Sequence, residues 1–338
     1  MQKIGFLFLF VVTSFFGQQS DFKHINFAKA DYIAKKTKSK RLYDLNKLTF
    51  ELTQNLETDV EKVRAIYIWI CNNIANDFRL YTLNERKRNK YVKDSIELQN
   101  WNSKFKNVLF KKLLRKKRTI CTGYAYLFKE MCALADIKAL MINGFGRTAT
   151  VDFEKLVMPN HTWNAVQLNN KWYLCDPTWS TGISFPEEGR FQFNYNDGYF
   201  LTKPKLFFLN HFPLEQQHSL LGDETSSFKA FTEMPLVYAN AFQYLSEHVA
   251  PSTMYHEITQ DSIVTFQYQL KKNINLQNVK LVLNTGTNDK TVKPKTTINN
   301  NLLTLEYAFP KKGFYDVHLY FDDKIIATYV FQVAESKS

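Results

Sequence analysis

The chain has 338 residues, of which 45% are hydrophobic and 15% aromatic, and its formal net charge is +12 at pH 7. This length favours two domains, and so large an apolar share excludes a disordered chain. Four cysteines at this length are too few for a scaffold held together by disulfides.

The first residues have the features of an export signal. Lys3 gives a positive start, residues 4–12 are apolar, and Gly17 and Gln18 follow where cleavage is expected. The apolar stretch is well short of the roughly 20 residues that a membrane-spanning helix needs. We therefore predict a signal peptide over residues 1–18 and an exported protein, periplasmic or secreted. No transmembrane span is expected after the signal is removed.

The positive charge is concentrated in two runs. Residues 86–90 and 111–118 are rich in Lys and Arg, and the second run ends just before Cys121. Such runs occur in nucleic-acid-binding proteins, but an exported protein rarely meets nucleic acid and the sequence has no motif of that kind. We therefore expect no nucleic-acid partner, and a solvated basic surface that favours anionic cell-envelope polymers or substrates.

Two segments have the apolar periodicity of buried helices. Thr58 and Glu61 have capping-box spacing, and the apolar residues after them predict a helix over about 59–75. Between 77 and 118 the charge is high and the pattern loose, which favours surface helices and loops. A stripe of small and apolar residues then predicts a second buried helix over about 121–135.

Short strands follow the second helix. The apolar run at 139–142 predicts a strand, and the glycines within 143–146 predict a loop. Residues 162–168 and 171–175 are predicted as two strands of a hairpin, because the pair of asparagines at 169–170 suits a tight turn.

After about residue 250 the sequence changes to an alternation of apolar and polar residues. Segments 264–270 and 315–321 alternate with period two, and turn signals lie at 284–289, 310–313 and 322–323. This pattern predicts an antiparallel all-β unit, for which a small immunoglobulin-like sandwich is the natural architecture.

Cys121 lies where the second buried helix is predicted to begin. Unpaired backbone N–H groups and the helix dipole stabilise an anion there, and the basic run before it adds positive charge. Because a free cysteine has a pKa of about 8.5, such surroundings raise the thiolate fraction at neutral pH. The alternative is a buried helix residue, which suits Cys71 and Cys132. A disulfide at Cys121 would block any role as nucleophile.

His161 and Asp176 come close together if the predicted hairpin is regular. With a two-residue turn at 169–170, His161 lies opposite Thr178 and Trp163 lies opposite Asp176, all on one face. His161 and Asp176 are then diagonal neighbours within hydrogen-bonding reach. A carboxylate so placed fixes the imidazole tautomer, while the other ring nitrogen serves a nucleophile. The alternative is a strand-end His and a turn Asp without a shared role.

Three blocks of sequence resemble the catalytic blocks of the transglutaminase-like superfamily. They are C-T-G-Y-A-Y-L-F at 121–128, H-T-W-N-A-V at 161–166 and K-W-Y-L-C-D-P-T-W at 171–179. Residues 62–74 resemble the helix that precedes this core in the bacterial, kyphoscoliosis-peptidase-like branch. Residues 199–204 and 211–213 resemble the segment that follows it, so the resemblance covers roughly residues 40–222.

The resemblance implies a catalytic triad with Cys121 as nucleophile, His161 as general base and acid, and Asp176 as the residue that orients His161. It also implies an α+β fold with a papain-like core, in which the helix bearing the cysteine packs on an antiparallel sheet. We assign this transglutaminase-like domain to residues 19–248 and the all-β domain to residues 249–338.

Contacts to the substrate and the oxyanion are less clearly marked. The backbone N–H of Cys121 is expected to be one oxyanion donor, and a glycine two residues on allows a substrate backbone to approach. The candidate residues for oxyanion or substrate contact are Trp101, Gly123, Tyr124 and Trp163. His211 and His218 are expected to be structural.

A site of this kind performs acyl transfer on amide bonds of peptides or proteins through a cysteine thioester. Hydrolysis of the thioester makes a peptidase or amidase, and attack by an amine makes a protein cross-linking transglutaminase. We favour hydrolysis, because nothing marks an amine-specific tunnel. No metal-ligand cluster or calcium loop is recognisable, so no cofactor is expected. The alternative from another class is an exported binding or assembly module that keeps the fold without activity.

Overall fold

The computed structural model of the chain describes residues 17–37, 42–185, 187–222, 224 and 226–336. Most of the predicted signal peptide therefore lies outside the described residues. Gly17 is the first residue described, and its N–H donates to the carbonyl of Trp172. Among the described residues, no helix combines the length and the apolar character that crossing a membrane requires.

Helices dominate the first part of the chain. In chain order they are α1 (Ala28–Lys36), α2 (Leu45–Thr53), α3 (Asp59–Asn73), α4 (Phe78–Lys90), α5 (Ser95–Lys116), α6 (Cys121–Ala133), α7 (Pro177–Thr181), α8 (Pro204–Phe208), α9 (Phe228–Glu233) and α10 (Ala241–Tyr244).

Strands lie between the later helices and make up the C-terminal part. They are β1 (Ala75–Asn76), β2 (Arg118–Thr119), β3 (Ala139–Gly146), β4 (His161–Leu168), β5 (Lys171–Cys175), β6 (Gly182–Phe185), β7 (Arg190–Phe193), β8 (His211–Pro213), β9 (Leu236–Val237), β10 (Leu245–Ala250), β11 (Tyr255–Thr259), β12 (Ile263–Leu270), β13 (Val279–Asn284), β14 (Asp289–Val292), β15 (Lys295–Asn299), β16 (Leu302–Ala308), β17 (Gly313–Phe321) and β18 (Lys324–Ala334).

Helix α3 begins at the predicted capping box. The backbone N–H of Glu61 donates to the Thr58 hydroxyl, and the Glu61 carboxylate accepts from the Thr58 N–H at 3.0 Å. The predicted helix is confirmed, and it ends at Asn73 because the next residues pair with β2 in a short parallel sheet. Most of α3 is buried, since it packs against α1, α2, α6 and α7.

The charged segment before the cysteine forms two helices joined by a short turn at residues 91–94, in line with the prediction of helices and loops. Asp77 caps α4 by accepting from the N–H of Leu80, and Asp94 caps α5 by accepting from that of Glu97. Leu80 and Phe105 bury the apolar sides of the two helices against each other. The weak apolar pattern suits such an outlying pair, because each helix buries only a narrow stripe.

Helix α6 packs on a four-stranded antiparallel sheet with strand order β5-β4-β3-β8. The side-chain amide of Asn164 on β4 ties the two layers together, because it donates to the carbonyls of Ala125 on α6 and Leu140 on β3. Asn169 and Asn170 form the predicted hairpin turn, with φ values of 48° and 62°. The predicted α+β core, with the cysteine helix on an antiparallel sheet, is confirmed.

The loop predicted at 143–146 is wrong, because these residues continue strand β3. Gly144 pairs with both His161 and Pro213, so the chain is central in the sheet at this point. A Cβ at Gly144 would lie 2.1 Å from the carbonyl oxygen of Phe212 and 2.5 Å from the Trp163 ring. The glycine allows a close approach within the sheet.

This approach predicts a large effect of one added methyl group. We expect Gly144→Ala to lower the free energy of unfolding by about 1–3 kcal/mol, since strand β8 must shift to make room. Urea denaturation of the variant and the wild type measures the difference. An unchanged midpoint would show that β3 and β8 do not come this close.

The C-terminal part forms two facing sheets. Their strand orders are β10-β12-β16-β15 and β11-β18-β17-β13-β14. Phe266 and Leu305 from the first sheet and Leu281 and Leu319 from the second belong to one buried cluster. The all-β prediction is confirmed and is consistent with an immunoglobulin-like sandwich, although β11 and β18 pair in parallel. The predicted domain boundary stays a prediction.

Candidate active site

Cys121 is the first residue of helix α6. Ile120 before it has extended backbone angles, so the cysteine lies in the first helical turn, where backbone N–H groups have no partner within the helix. The residue is 8% exposed. All four cysteines of the chain are free thiols in the structure, so no disulfide blocks this sulfur.

His161 connects Cys121 to Asp176. Its Nε2 atom lies 2.6 Å from Oδ2 of Asp176, and its ring is near enough to Cys121 to lower the pKa of that thiol. Because Nε2 is engaged by the carboxylate, Nδ1 is the nitrogen that faces the sulfur. The structure thus brings His161 and Asp176 into direct contact, and Cys121 and His161 line the same cleft.

Asp176 occupies its position for a reason that the predicted register missed. The β4–β5 pairing ends with Asn164 opposite Cys175, and Asp176 leaves the strand to cap helix α7. Its Oδ1 accepts from the N–H groups of Thr178 and Trp179 at 2.7 and 3.1 Å. Thr178 therefore lies in a helix and not opposite His161, which corrects the prediction. The cap leaves Oδ2 free for the imidazole.

The charges and hydrogen bonds around Cys121 and His161 favour a thiolate beside an imidazolium. Burial raises the pKa of Cys121, but the hydrogen bond and charge of His161, with the backbone N–H of Thr162, lower it more. Burial lowers the pKa of His161, yet Asp176 and Cys121 raise it to about 10. The pKa of Asp176 falls despite its burial, because of His161 and His211.

The other three cysteines and the basic run do not share this environment. Burial raises the pKa of Cys71, Cys132 and Cys175. The basic residues Lys112 and Arg118 pair with the carboxylate of Asp77. Asp77 thus compensates the charges of Lys112 and Arg118. The pKa of Cys121 is lowered by His161 and the Thr162 backbone instead.

Comparison with known proteins agrees with this arrangement. Residues 46–177 match the model of the transglutaminase-like superfamily. This segment of the chain is transglutaminase-like. The matched transglutaminase-like segment contains Cys121, His161 and Asp176.

The curated relatives are longer proteins. Kyphoscoliosis peptidase of Homo sapiens is 34% identical over 203 residues, which covers 58% of this chain and 27% of that protein. The Mus musculus protein of the same name is 34% identical over 185 residues, covering 52% and 24%. Hillarin of Drosophila melanogaster is 25% identical over 234 residues, covering 65% and 26%. The chain thus spans about a quarter of the length of these relatives.

Aromatic rings fix the imidazole of this transglutaminase-like site. The Trp179 ring stacks on His161 with centroids 4.7 Å apart and planes at 21°, and Trp163 lies 5.9 Å away on a nearly parallel plane. Trp163 is 1% exposed, so its role here is packing, and the predicted substrate contact is not supported. Trp179 was not singled out from the sequence.

The remaining predicted contact residues do not line the cleft at Cys121 and His161. The indole N–H of Trp101 donates to Asn84 at 3.0 Å, so it is not available to an oxyanion. A Cβ at Gly123 would lie 1.8 Å from the Thr119 hydroxyl, so this glycine accommodates a protein side chain. Tyr124 is fully buried, and its hydroxyl donates to the carbonyl of Ile74. These three predictions are corrected.

A cleft of about 600 Å³ opens at Cys121 and His161. Helices α4 and α5 form one wall through Tyr81 and Phe105, and β3 contributes Asn143. The sequence showed no sign that the charged helices form this wall, because their cleft-facing residues lie far from the catalytic blocks along the chain.

Two histidines, not one, contact the carboxylate of Asp176. Nε2 of His211 lies 3.1 Å from Oδ2, and the three side chains offer metal-ligand atoms within 4.8 Å of one another. Two ligands of a tetrahedral zinc ion would lie about 3.3 Å apart, given zinc–ligand distances of about 2.0–2.1 Å. The 2.6 Å between His161 and Asp176 is instead a hydrogen-bond length. We describe the group as a hydrogen-bonded cluster.

Proposed function

We propose that the chain is a cysteine enzyme that attacks amide bonds of peptides or proteins and forms a thioester at Cys121. The observation that supports this most is that Cys121 lines the same open cleft as His161, which is hydrogen-bonded to the buried Asp176. The roles of Cys121, His161 and Asp176 as nucleophile, general acid and base, and orienting residue are part of this proposal.

The proposed reaction has two steps. The Cys121 thiolate attacks the amide carbonyl, and Nδ1–H of His161 protonates the nitrogen as the C–N bond breaks, which leaves an amine product and a thioester. Neutral His161 then takes one proton from water as the water oxygen attacks the thioester and the C–S bond breaks, which releases a carboxylic acid and restores the Cys121 thiolate beside the His161 imidazolium. The backbone N–H of Cys121, at the start of α6, is the expected oxyanion donor.

Hydrolysis is favoured over transfer to an amine. Cys121 and His161 line one solvent-connected cleft, and the two other cavities described in the structure are lined by different residues. Water and an amine would thus reach the thioester through the same opening. Because water is far more abundant, transfer would require a binding site for the amine within the cleft.

A peptide library tests both the activity and its outcome. The wild type and Cys121→Ser are incubated with the library, with and without a primary amine, and the products are identified by mass spectrometry. We expect cleaved or deamidated peptides from the wild type alone, and few amine adducts. Adducts as the main products would identify a cross-linking enzyme, and no Cys121-dependent product would favour a binding module.

Selective reaction of one cysteine is expected at neutral pH. Iodoacetamide should label Cys121 well before the other three, because only its pKa is lowered while theirs are raised by burial. His161→Ala should remove the preference. Peptide mapping measures both. Equal labelling of all four cysteines in the folded protein would contradict an activated thiol at Cys121.

Export and envelope contact are part of the proposal. The support is the signal-like sequence before Gly17 and the basic surface around α4 and α5. Cell fractionation with N-terminal sequencing of the mature chain tests export, and a cytoplasmic, uncut protein would refute it. Binding to anionic polymers that weakens with added salt is the result expected for the basic surface.

A further inference from the structure

His211 lies beside the proposed triad but has no role in the two steps above. Its Nε2 is 3.1 Å from Oδ2 of Asp176, the same oxygen that His161 contacts. Its side chain is fully buried. Packing alone does not require a histidine here, because an apolar ring could fill the same buried space without a hydrogen bond to Asp176.

We propose that His211 is a positioning residue, which donates its Nε2–H to Asp176 and so keeps this carboxylate ionised and oriented toward His161. This role rests on the proposed function, because it deepens the account of how His161 serves Cys121. His211 itself touches neither the sulfur nor the cleft in this account.

Hydrogen bonding favours the tautomer that the role requires. Nδ1 of His211 lies 2.7 Å from Oδ1 of Asn210 and 3.3 Å from the carbonyl oxygen of Phe207, while Nε2 faces a carboxylate. A neutral ring with its proton on Nδ1 would direct a lone pair at the anionic Asp176, and a hydrogen bond to a charged acceptor is stronger than one to a neutral oxygen, so we place the proton on Nε2. The Asn210 NH₂ donates to the Tyr199 hydroxyl in the structure, and the proposed tautomer requires this amide to exchange its O and N positions, which are assigned from the hydrogen-bond network.

The ring has little freedom to leave this position. Phe207 stacks on it with centroids 3.9 Å apart and planes at 20°, and Trp179 lies 4.3 Å away. Its backbone is paired with Gly146 at the edge of the catalytic sheet. The burial that fixes the ring also lowers the pKa of His211 to about 4, which agrees with a neutral donor.

Asp176 needs this second donor because the carboxylate is fully buried. Two backbone N–H groups reach Oδ1, and the two imidazoles reach Oδ2. Without His211, one of four hydrogen bonds to a buried charge is lost, which raises the pKa of Asp176. A weaker carboxylate stabilises the imidazolium of His161 less, and the Cys121 thiol therefore ionises at a higher pH.

Other titratable groups surround the cluster from each packed element. Apart from His161 and His211, they are Cys71 and Tyr67 from α3, Cys121 and Tyr124 from α6, Cys175 from β5 and Tyr199 from the turn before α8. The pKa of each of them except Cys121 is raised, chiefly by burial, so near neutral pH they stay uncharged and leave the dependence on pH to the triad and His211.

The test compares His211→Phe and His211→Gln with His218→Gln as a control on a partly exposed histidine. The readout is the rate of Cys121 alkylation by iodoacetamide as a function of pH, with the thermal midpoint as a check of folding. We expect His211→Phe, which keeps a packed ring, to move the midpoint of the alkylation profile upward. Near neutral pH it should slow alkylation about 10-fold. His211→Gln, which keeps a donor, should recover most of the rate.

Three outcomes decide the matter. If His211→Phe folds and keeps the wild-type pH profile of alkylation, the proposed role of His211 is overturned. If His218→Gln shifts the profile as much as His211→Phe does, the effect is non-specific and the proposed role is also overturned. If the wild-type Cys121 reacts no faster than a free thiol, the proposed function fails instead.

Nitrogen-15 NMR of the histidine rings in the wild type tests His211 independently of any thiol chemistry. A neutral ring with its proton on Nε2 is the expected signature, and a proton on Nδ1 would overturn the proposal even if every variant misfolds.

Discussion

Cys121→Ser is expected to abolish turnover and to leave the melting temperature nearly unchanged. A serine hydroxyl is a far weaker acid than a thiol, so the ion pair with His161 is lost, and the rate should fall by about 10⁴-fold or more. The exchange of one atom at a residue on the cleft surface removes little packing. Steady-state kinetics on the peptides identified by the library, together with thermal unfolding, measure the two effects.

Cys132→Ser provides the matched control. This cysteine lies on the buried face of α6, within the apolar core. A hydroxyl placed there should lower the free energy of unfolding by about 1–3 kcal/mol, while the folded fraction keeps its activity. The opposite pattern, with Cys121→Ser unstable and still active, would make Cys121 a core residue.

Asp176→Asn should lower the rate by about 10⁴-fold and also reduce stability. The amide NH₂ would face Nε2 of His161 and force that nitrogen to accept a hydrogen bond. The ring proton would then move to Nδ1, where it points at the sulfur and prevents the ring from acting as a base. The amide oxygen still caps α7, so helix capping is retained in part.

The stability loss should depend on pH in a defined direction. Because the pKa of Asp176 is lowered by folding, its stabilisation is present above the ordinary aspartate pKa of about 3.9 and is lost as the pH falls through the folded-state value. The difference between wild type and variant should thus persist at neutral pH and shrink in acid. Asp136→Asn, at an exposed aspartate, should show neither effect. Full activity in Asp176→Asn would remove this residue from the mechanism.

Local patterns were enough to predict the catalytic core. The capping box at Thr58, the apolar stripe that starts at Cys121 and the paired asparagines at 169–170 are signals within a few residues, and the structure has a helix or turn at each. Periodicity of two predicted the C-terminal sheets for the same reason. The resemblance of three sequence blocks to transglutaminase-like proteins then predicted that Cys121, His161 and Asp176 share one site.

The errors have a common physical cause, which is contact between residues distant along the chain. Gly144 and Gly123 indicated a loop and a substrate approach, but each glycine accommodates another part of the protein. The contact between His211 and Asp176 joins strand β8 to the start of α7, and nothing local distinguishes this histidine from a structural one. Strand β5 ends before Asp176, which caps helix α7, whereas the predicted register assumed that the strand continues.

Titration of the Cys121 thiol tests the central claim most directly. Thiolate absorbance in the ultraviolet is followed against pH in the wild type, with Cys121→Ser subtracted and His161→Ala as the comparison. We expect a midpoint below the 8.5 or so of a free cysteine, and its return toward that value in His161→Ala. A wild-type midpoint at or above the free value, unaffected by His161, would contradict the thiolate–imidazolium pair and the acyl-transfer chemistry built on it.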